Sequence, residues 1–174
     1  GNEGFGSKSR REQDRRSSMK NLDCMMSFVR RYFSSPEWLD ALGQEFGSLT
    51  VARWAAEDFL NDLPQDVEAW QAAIHNSEVR KVNKPWLILP PSSHSMAALF
   101  PVLIGWAVNL DLSIRVPAHS AHLAALWHFI KSVRSYGCPI KLVASAVRFN
   151  CTASLAPYSG VTVYGSDVTC SKIR

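Results

Sequence analysis

The chain has 174 residues, of which 47% are hydrophobic and 20% are charged. This composition is typical of a globular protein and excludes an intrinsically disordered chain. The formal net charge is +4, but six Lys/Arg and three Asp/Glu lie within the first twenty residues, so most of the excess belongs to one end. We interpret residues 1–18 as a disordered basic tail, and we expect no nucleic-acid binding.

The cysteines indicate the redox compartment of the protein, and the apolar segments indicate whether it spans a membrane. The four cysteines show no CxxC spacing, and no apolar leader follows the start of the chain, which favours reduced thiols and a cytoplasmic location. The longest uncharged apolar stretch, 95–110, is shorter than the roughly 20 residues that a transmembrane helix needs. We therefore expect no membrane span.

Residues 19–80 carry apolar side chains at helical spacing. The predicted helices are 23–33, a second one that starts at Ser35-Pro36-Glu37 and ends before Gly47, a third from about Thr50 to Leu63-Pro64, and a fourth over 66–74. Their amphipathic pattern predicts that the aromatic side chains pack in the core. These are Trp38, Trp54, Phe59 and Trp70.

Residues 84–174 change from helical spacing to short apolar runs separated by Pro and Gly. The runs 86–89, 112–116, 140–143 and 161–164 predict strands, with helices from about Ser95 and from His119 or Ser120 to Tyr136. Such alternation calls for parallel strands joined by right-handed crossovers. The expected fold is α/β: N-terminal helices, then a Rossmann-like parallel sheet of about four strands with helices on both faces, incomplete in this chain.

Ligands of such sheets bind at the carboxyl ends of the strands. The loops in that position are 90–95, 117–120 and 165–167. Serines in these loops either cap a helix or contact a ligand, and the sequence leaves both interpretations open. His94 is a candidate polar site residue. His119 and His122 lack a third metal ligand, and no local motif marks a nucleophile, so we predict neither a metal site nor a catalytic residue.

The segment from Trp86 to Ser95, the stretch Ser113-Ile114-Arg115-Val116-Pro117-Ala118 and the stretch 161–167 resemble the nucleotide-binding domain of the aldehyde dehydrogenase superfamily. Within it they are most similar to LuxC-type acyl-CoA reductases. The resemblance implies an oxidoreductase that binds NADP or NAD. It implies that Arg115 and Pro117 lie beside the adenosine ribose, that the Gly165-Ser166 turn meets the pyrophosphate, and that Ser93 or His94 lines the loop near the reacting carbonyl.

Two departures from the family pattern affect this expectation. The family usually has an Asn in the loop after the first strand, where this chain has Ser92-Ser93. The family's catalytic cysteine lies in a second domain, whereas this sequence extends only eight residues past Ser166. No residue is therefore carried over as the nucleophile, and we expect a cofactor-binding part that is inactive alone.

The rival interpretation is a non-catalytic α/β module for interaction or oligomerisation, whose sheet is completed by a partner chain. An unfinished parallel sheet leaves an edge with unpaired N–H and C=O groups, which favours strand pairing. The sequence does not distinguish NAD from NADP and identifies neither the acyl or aldehyde substrate nor the oligomeric state.

Overall fold

A computed structural model gives the structure of the chain and describes residues 4–76, 83–91, 93–116, 123–149 and 152–164. Three helices precede the sheet, and strands alternate with helices after them. The elements are α1 (Gly4–Tyr32), α2 (Pro36–Phe46), α3 (Leu49–Asn76), β1 (Trp86–Leu89), a 3₁₀ turn (Met96–Ala98), α4 (Leu99–Ala107), β2 (Leu112–Arg115), α5 (Ala124–Ser135), β3 (Ile140–Val143), α6 (Thr152–Leu155) and β4 (Gly160–Val163).

Helix α1 begins at Gly4. The prediction of a disordered tail over residues 1–18 is therefore wrong for residues 4–18, which form the first turns of a helix. Arg16 and Glu12, one helical turn apart and both exposed, form an ion pair at 2.8 Å, a contact that favours a helix at this position. The apolar stripe of α1 begins further on, where Leu22, Met25 and Phe28 are buried.

The ends of α2 follow the signals in its sequence. Ser35 caps the helix by accepting a hydrogen bond from the N–H of Trp38, and Pro36 occupies the first turn. Gly47 has a φ of 69°, a left-handed conformation that glycine adopts without strain, and it ends the helix. These features confirm the predicted second helix.

Helix α3 differs from the prediction in two ways. It continues through Pro64, so the predicted break at Leu63-Pro64 is wrong. Leu63 and Val67 are both buried, so the packed stripe crosses the proline, and the loss of one backbone N–H does not end the helix. Trp54, predicted in the core, is instead 65% exposed, because it lies two residues from the buried Ala52 and therefore on the opposite side of the helix.

The four strands form one parallel sheet in the order β3-β2-β1-β4, as the α/β prediction required. Ile88 pairs with Ile114 on one side and with Thr162 on the other. The indole of Trp86 donates a 2.9 Å hydrogen bond to the hydroxyl of Thr162, which ties β1 to β4 beyond the backbone ladder. β1 is thus central and β4 is the edge of the described sheet.

The two faces of the sheet are covered unequally. On one face, Ile88, Leu112 and Ile114 pack beneath α4 and α5 in a core that also includes α1, α2 and α3. On the other face, Leu87, Leu89 and Phe149 form a smaller cluster. Leu155 of α6 packs against that cluster. The N-terminal helices and the sheet therefore share one main core.

Within the described ranges, none of the helices combines the length and the hydropathy that crossing a membrane requires.

Candidate functional site

The strand order creates a topological switch point at the carboxyl edge of the sheet. The chain leaves β1 toward β2 on one side, whereas β4 lies on the other side of β1. The N–H of Tyr164 donates to the carbonyl of Leu89 at 3.1 Å, so β1 and β4 remain adjacent up to this edge. In open parallel sheets the crevice beyond such a point is where ligands bind.

The loop after β1 is anchored by a residue distant in sequence. Ser95 is fully buried, and both its N–H and its hydroxyl donate to the carboxylate of Glu45 in α2, the hydroxyl at 2.5 Å. Ser93 and His94, the two predicted loop residues, are exposed beside it. Because Glu45 already occupies the N–H at the start of the 3₁₀ turn, a phosphate would have to displace a carboxylate there. This loop is therefore a poor anion site.

Arg115 stands at the carboxyl end of β2, next to the end of β1. Its Nη2 donates to the carbonyl of Ser145 at 3.1 Å, and its guanidinium carbon lies 5.7 Å from the centroid of the Phe149 ring. Its Nε is buried and has no hydrogen-bond partner within the described part of the chain. A ligand acceptor at this position would satisfy a donor that is otherwise costly to leave unpaired.

The structure describes only part of the predicted site. Arg115 and the Ser93-His94 loop follow neighbouring strands at the same edge of the sheet. The other predicted cofactor contacts, Pro117, Gly165 and Ser166, lie outside the described residues, and so do His119 and His122. The contact of Arg115 with the loop 144–149 and the contact of Glu45 with Ser95 were not predicted, because both join residues far apart in the sequence.

His94 also lines a groove that sequence reasoning missed. The groove measures about 360 Å³ and lies between α2, α3 and the loop after β1. Its lining residues are Phe46, Trp54, Ala55, Asp58, Phe59, Asp62, His94, Met96 and Phe100. The spacing of Trp54, Asp58 and Asp62, each four residues from the next, was the available signal, since such residues share one helix face.

The described cysteines and histidines offer no clear nucleophile. Cys138 is buried, and burial raises the pKa of its thiol to about 12, which keeps it protonated. Cys24 is exposed on α1. His128 is hydrogen-bonded through Nδ1 to the hydroxyl of Tyr32 at 2.6 Å, a contact between two helices. Among the described residues, no three His, Cys, Asp or Glu side chains are grouped to hold a metal ion.

Comparisons of the chain with protein-family models, with curated proteins and with solved structures found no match.

Proposed function

We propose that the sheet binds a nucleotide cofactor, NADP or NAD, at its carboxyl edge, as the cofactor-binding part of an acyl-CoA or aldehyde oxidoreductase. The observation that carries this proposal is the parallel order β3-β2-β1-β4, with its switch point between β1 and β4. Arg115, at the end of β2, supports it, because its Nε has no hydrogen-bond partner among the described residues. A cytoplasmic location with reduced thiols belongs to the same proposal.

In this proposal Arg115 contacts the adenosine ribose or its phosphate, and Pro117 lies beside it. The contact of Glu45 with Ser95 disfavours the loop after β1 as the pyrophosphate site. The pyrophosphate is therefore assigned to Gly165 and Ser166, which follow β4 in the sequence. Ser93 and His94 remain the candidates for contact with the reacting carbonyl, since both are exposed at the same edge.

The chain is expected to bind the cofactor without turnover. Acyl or aldehyde chemistry of this kind requires a thiolate nucleophile. Of the described cysteines, Cys138 is buried with the pKa of its thiol raised to about 12, and Cys24 lies on α1 and not in a loop at the carboxyl edge of the sheet. We therefore assign no catalytic residue, and binding is the property to measure.

One observation favours a second candidate, an interaction or oligomerisation module. In the described sheet β4 pairs only with β1, and all four of its residues are half-buried. An edge strand with apolar residues such as Val161 and Val163 can pair with a strand of another chain. Such a module would be a homo-oligomer, or it would bind a partner chain that completes the sheet.

Calorimetric titration of NADPH and NADH into the folded protein tests the proposal. We expect saturable binding, and Arg115→Met should weaken it by about 1–3 kcal/mol, the usual value of a charge-assisted contact. Methionine retains apolar contact with Phe149, and Arg134→Met, at an exposed position in the last turn of α5, is the control.

Absence of binding of either dinucleotide at millimolar concentration would reject the cofactor proposal. Light scattering over a range of protein concentrations then tests the alternative. A concentration-dependent dimer that is lost with Val161→Lys would support the interaction module. A monomer at all concentrations, with no cofactor binding, would contradict both functions.

A further inference from the structure

The groove beside α3 combines an apolar floor with a negatively charged rim. Phe59 and Phe100 contact each other edge to face at a centroid distance of 4.9 Å. Phe59 also stacks on Phe33 at 4.8 Å, and Phe33 is buried in the main core. The floor is therefore held by core packing and does not need a ligand to form it.

Trp54 forms the outer wall of the groove and is 65% exposed, the most exposed of the large hydrophobic side chains described. Asp58 and Asp62 follow it on the same face of α3, one and two helical turns further on. Neither carboxylate has a hydrogen-bond or ion-pair partner among the described residues. An indole face next to two uncompensated carboxylates attracts a cation, by Coulomb attraction and by the cation–π interaction.

The opposite wall is fixed by the contact between Glu45 and Ser95. Ser95 lies between the lining residues His94 and Met96, and its two hydrogen bonds to Glu45 hold this part of the loop against α2. The loop wall of the groove is therefore held in place, and the other wall is carried by α3. A preformed site of this kind costs little conformational entropy to occupy.

We propose that this groove binds a small organic cation with an aromatic or branched apolar body. The ammonium group lies between Trp54 and the carboxylates of Asp58 and Asp62, and the apolar body lies on Phe59 and Phe100. The volume of about 360 Å³ is at the lower end of the range for small-molecule sites and fits one such ligand. The proposal does not rest on the cofactor function, because none of the residues that contact this ligand is assigned to the cofactor.

Three probes of similar shape and different charge test the proposal: phenethylammonium, 2-phenylethanol and 3-phenylpropionate. The readout is the indole N–H signal of Trp54 in NMR spectra, identified among the six tryptophans by its loss in Trp54→Phe. We expect the cation to bind on the order of tenfold more tightly than the alcohol, and the carboxylate to bind least.

The double variant Asp58→Asn/Asp62→Asn should remove the preference for the cation. Asp111→Asn is the matched control, because Asp111 is exposed at the amino end of β2, on the opposite edge of the sheet, and should retain the preference. Both aspartates of the groove are exposed, so the double variant is expected to fold normally.

Equal affinity for the cation and the alcohol would overturn the proposal, as would a preference that survives the double substitution. No shift of the Trp54 signal at about 10 mM ligand, the limit of weak specific binding, would also overturn it. A short Lys-Phe peptide that binds more than about tenfold tighter than the amine would make the groove a peptide site instead.

Discussion

Replacing Glu45 by alanine tests the link between the N-terminal helices and the site loop. The carboxylate of Glu45 accepts the N–H and the hydroxyl of Ser95, which is fully buried. Hydrogen bonds to a charged group contribute about 1.5–3 kcal/mol, and the two bonds share one carboxylate, so their effects do not add fully. Glu45 also lies in the last turn of α2, where the helix dipole disfavours an anion, so its removal recovers about 0.3–1 kcal/mol. The expected net loss is about 2 kcal/mol in the free energy of unfolding.

Urea unfolding followed by circular dichroism measures this loss. Glu57→Ala is the control, because Glu57 is exposed on α3 and its replacement should change stability by less than about 0.5 kcal/mol. Glu45→Gln keeps one acceptor oxygen and should lie between the wild type and the alanine variant. A Glu45→Ala protein as stable as the Glu57→Ala control would refute the reasoning, since water or another group would then satisfy Ser95.

Three further predictions concern the core, the cysteines and α3. Ile114→Asp places a charge in the fully buried centre of the sheet and should lower the free energy of unfolding by several kcal/mol, enough to abolish the thermal unfolding transition. A cooperative, native-like melt would contradict the strand assignment. Iodoacetamide at pH 8 should modify Cys24 in the folded protein and leave Cys138 unmodified, because burial raises the pKa of Cys138 to about 12; mass spectrometry of tryptic peptides decides this. Pro64→Ala should stabilise the protein by about 1–2 kcal/mol in urea titrations, because it restores a backbone N–H within a continuous helix; a destabilised variant would indicate a break at this position.

The sequence was sufficient to locate the strands. β1 and β3 have the predicted bounds, and β2 and β4 differ from theirs by one residue at their ends. Each strand is a short apolar run set off by Pro, Gly or polar residues, and these are local signals that need no knowledge of the tertiary structure. The parallel arrangement followed from the alternation with helices.

Contacts between distant segments could not be predicted in the same way. Pro64 ends many helices, but here the packing of Leu63 and Val67 continues the helix across it. Trp54 is an aromatic residue of a kind that usually packs in a core. Its exposure became evident only when the side of α3 that faces the core was known. The bonds from Ser95 to Glu45 connect residues fifty positions apart, and no periodicity in the sequence points to such a pair.

Hydrogen exchange of backbone amides with and without NADPH tests the central claim, that the carboxyl edge of the sheet binds a nucleotide. With the cofactor at about 5 mM, well above a weak dissociation constant, we predict slower exchange in peptides that contain the carboxyl ends of β1 and β2. Peptides that contain the amino edge, around Pro85 and Asp111, should exchange unchanged. Exchange that is identical with and without NADPH, or protection confined to the amino edge, would contradict the account.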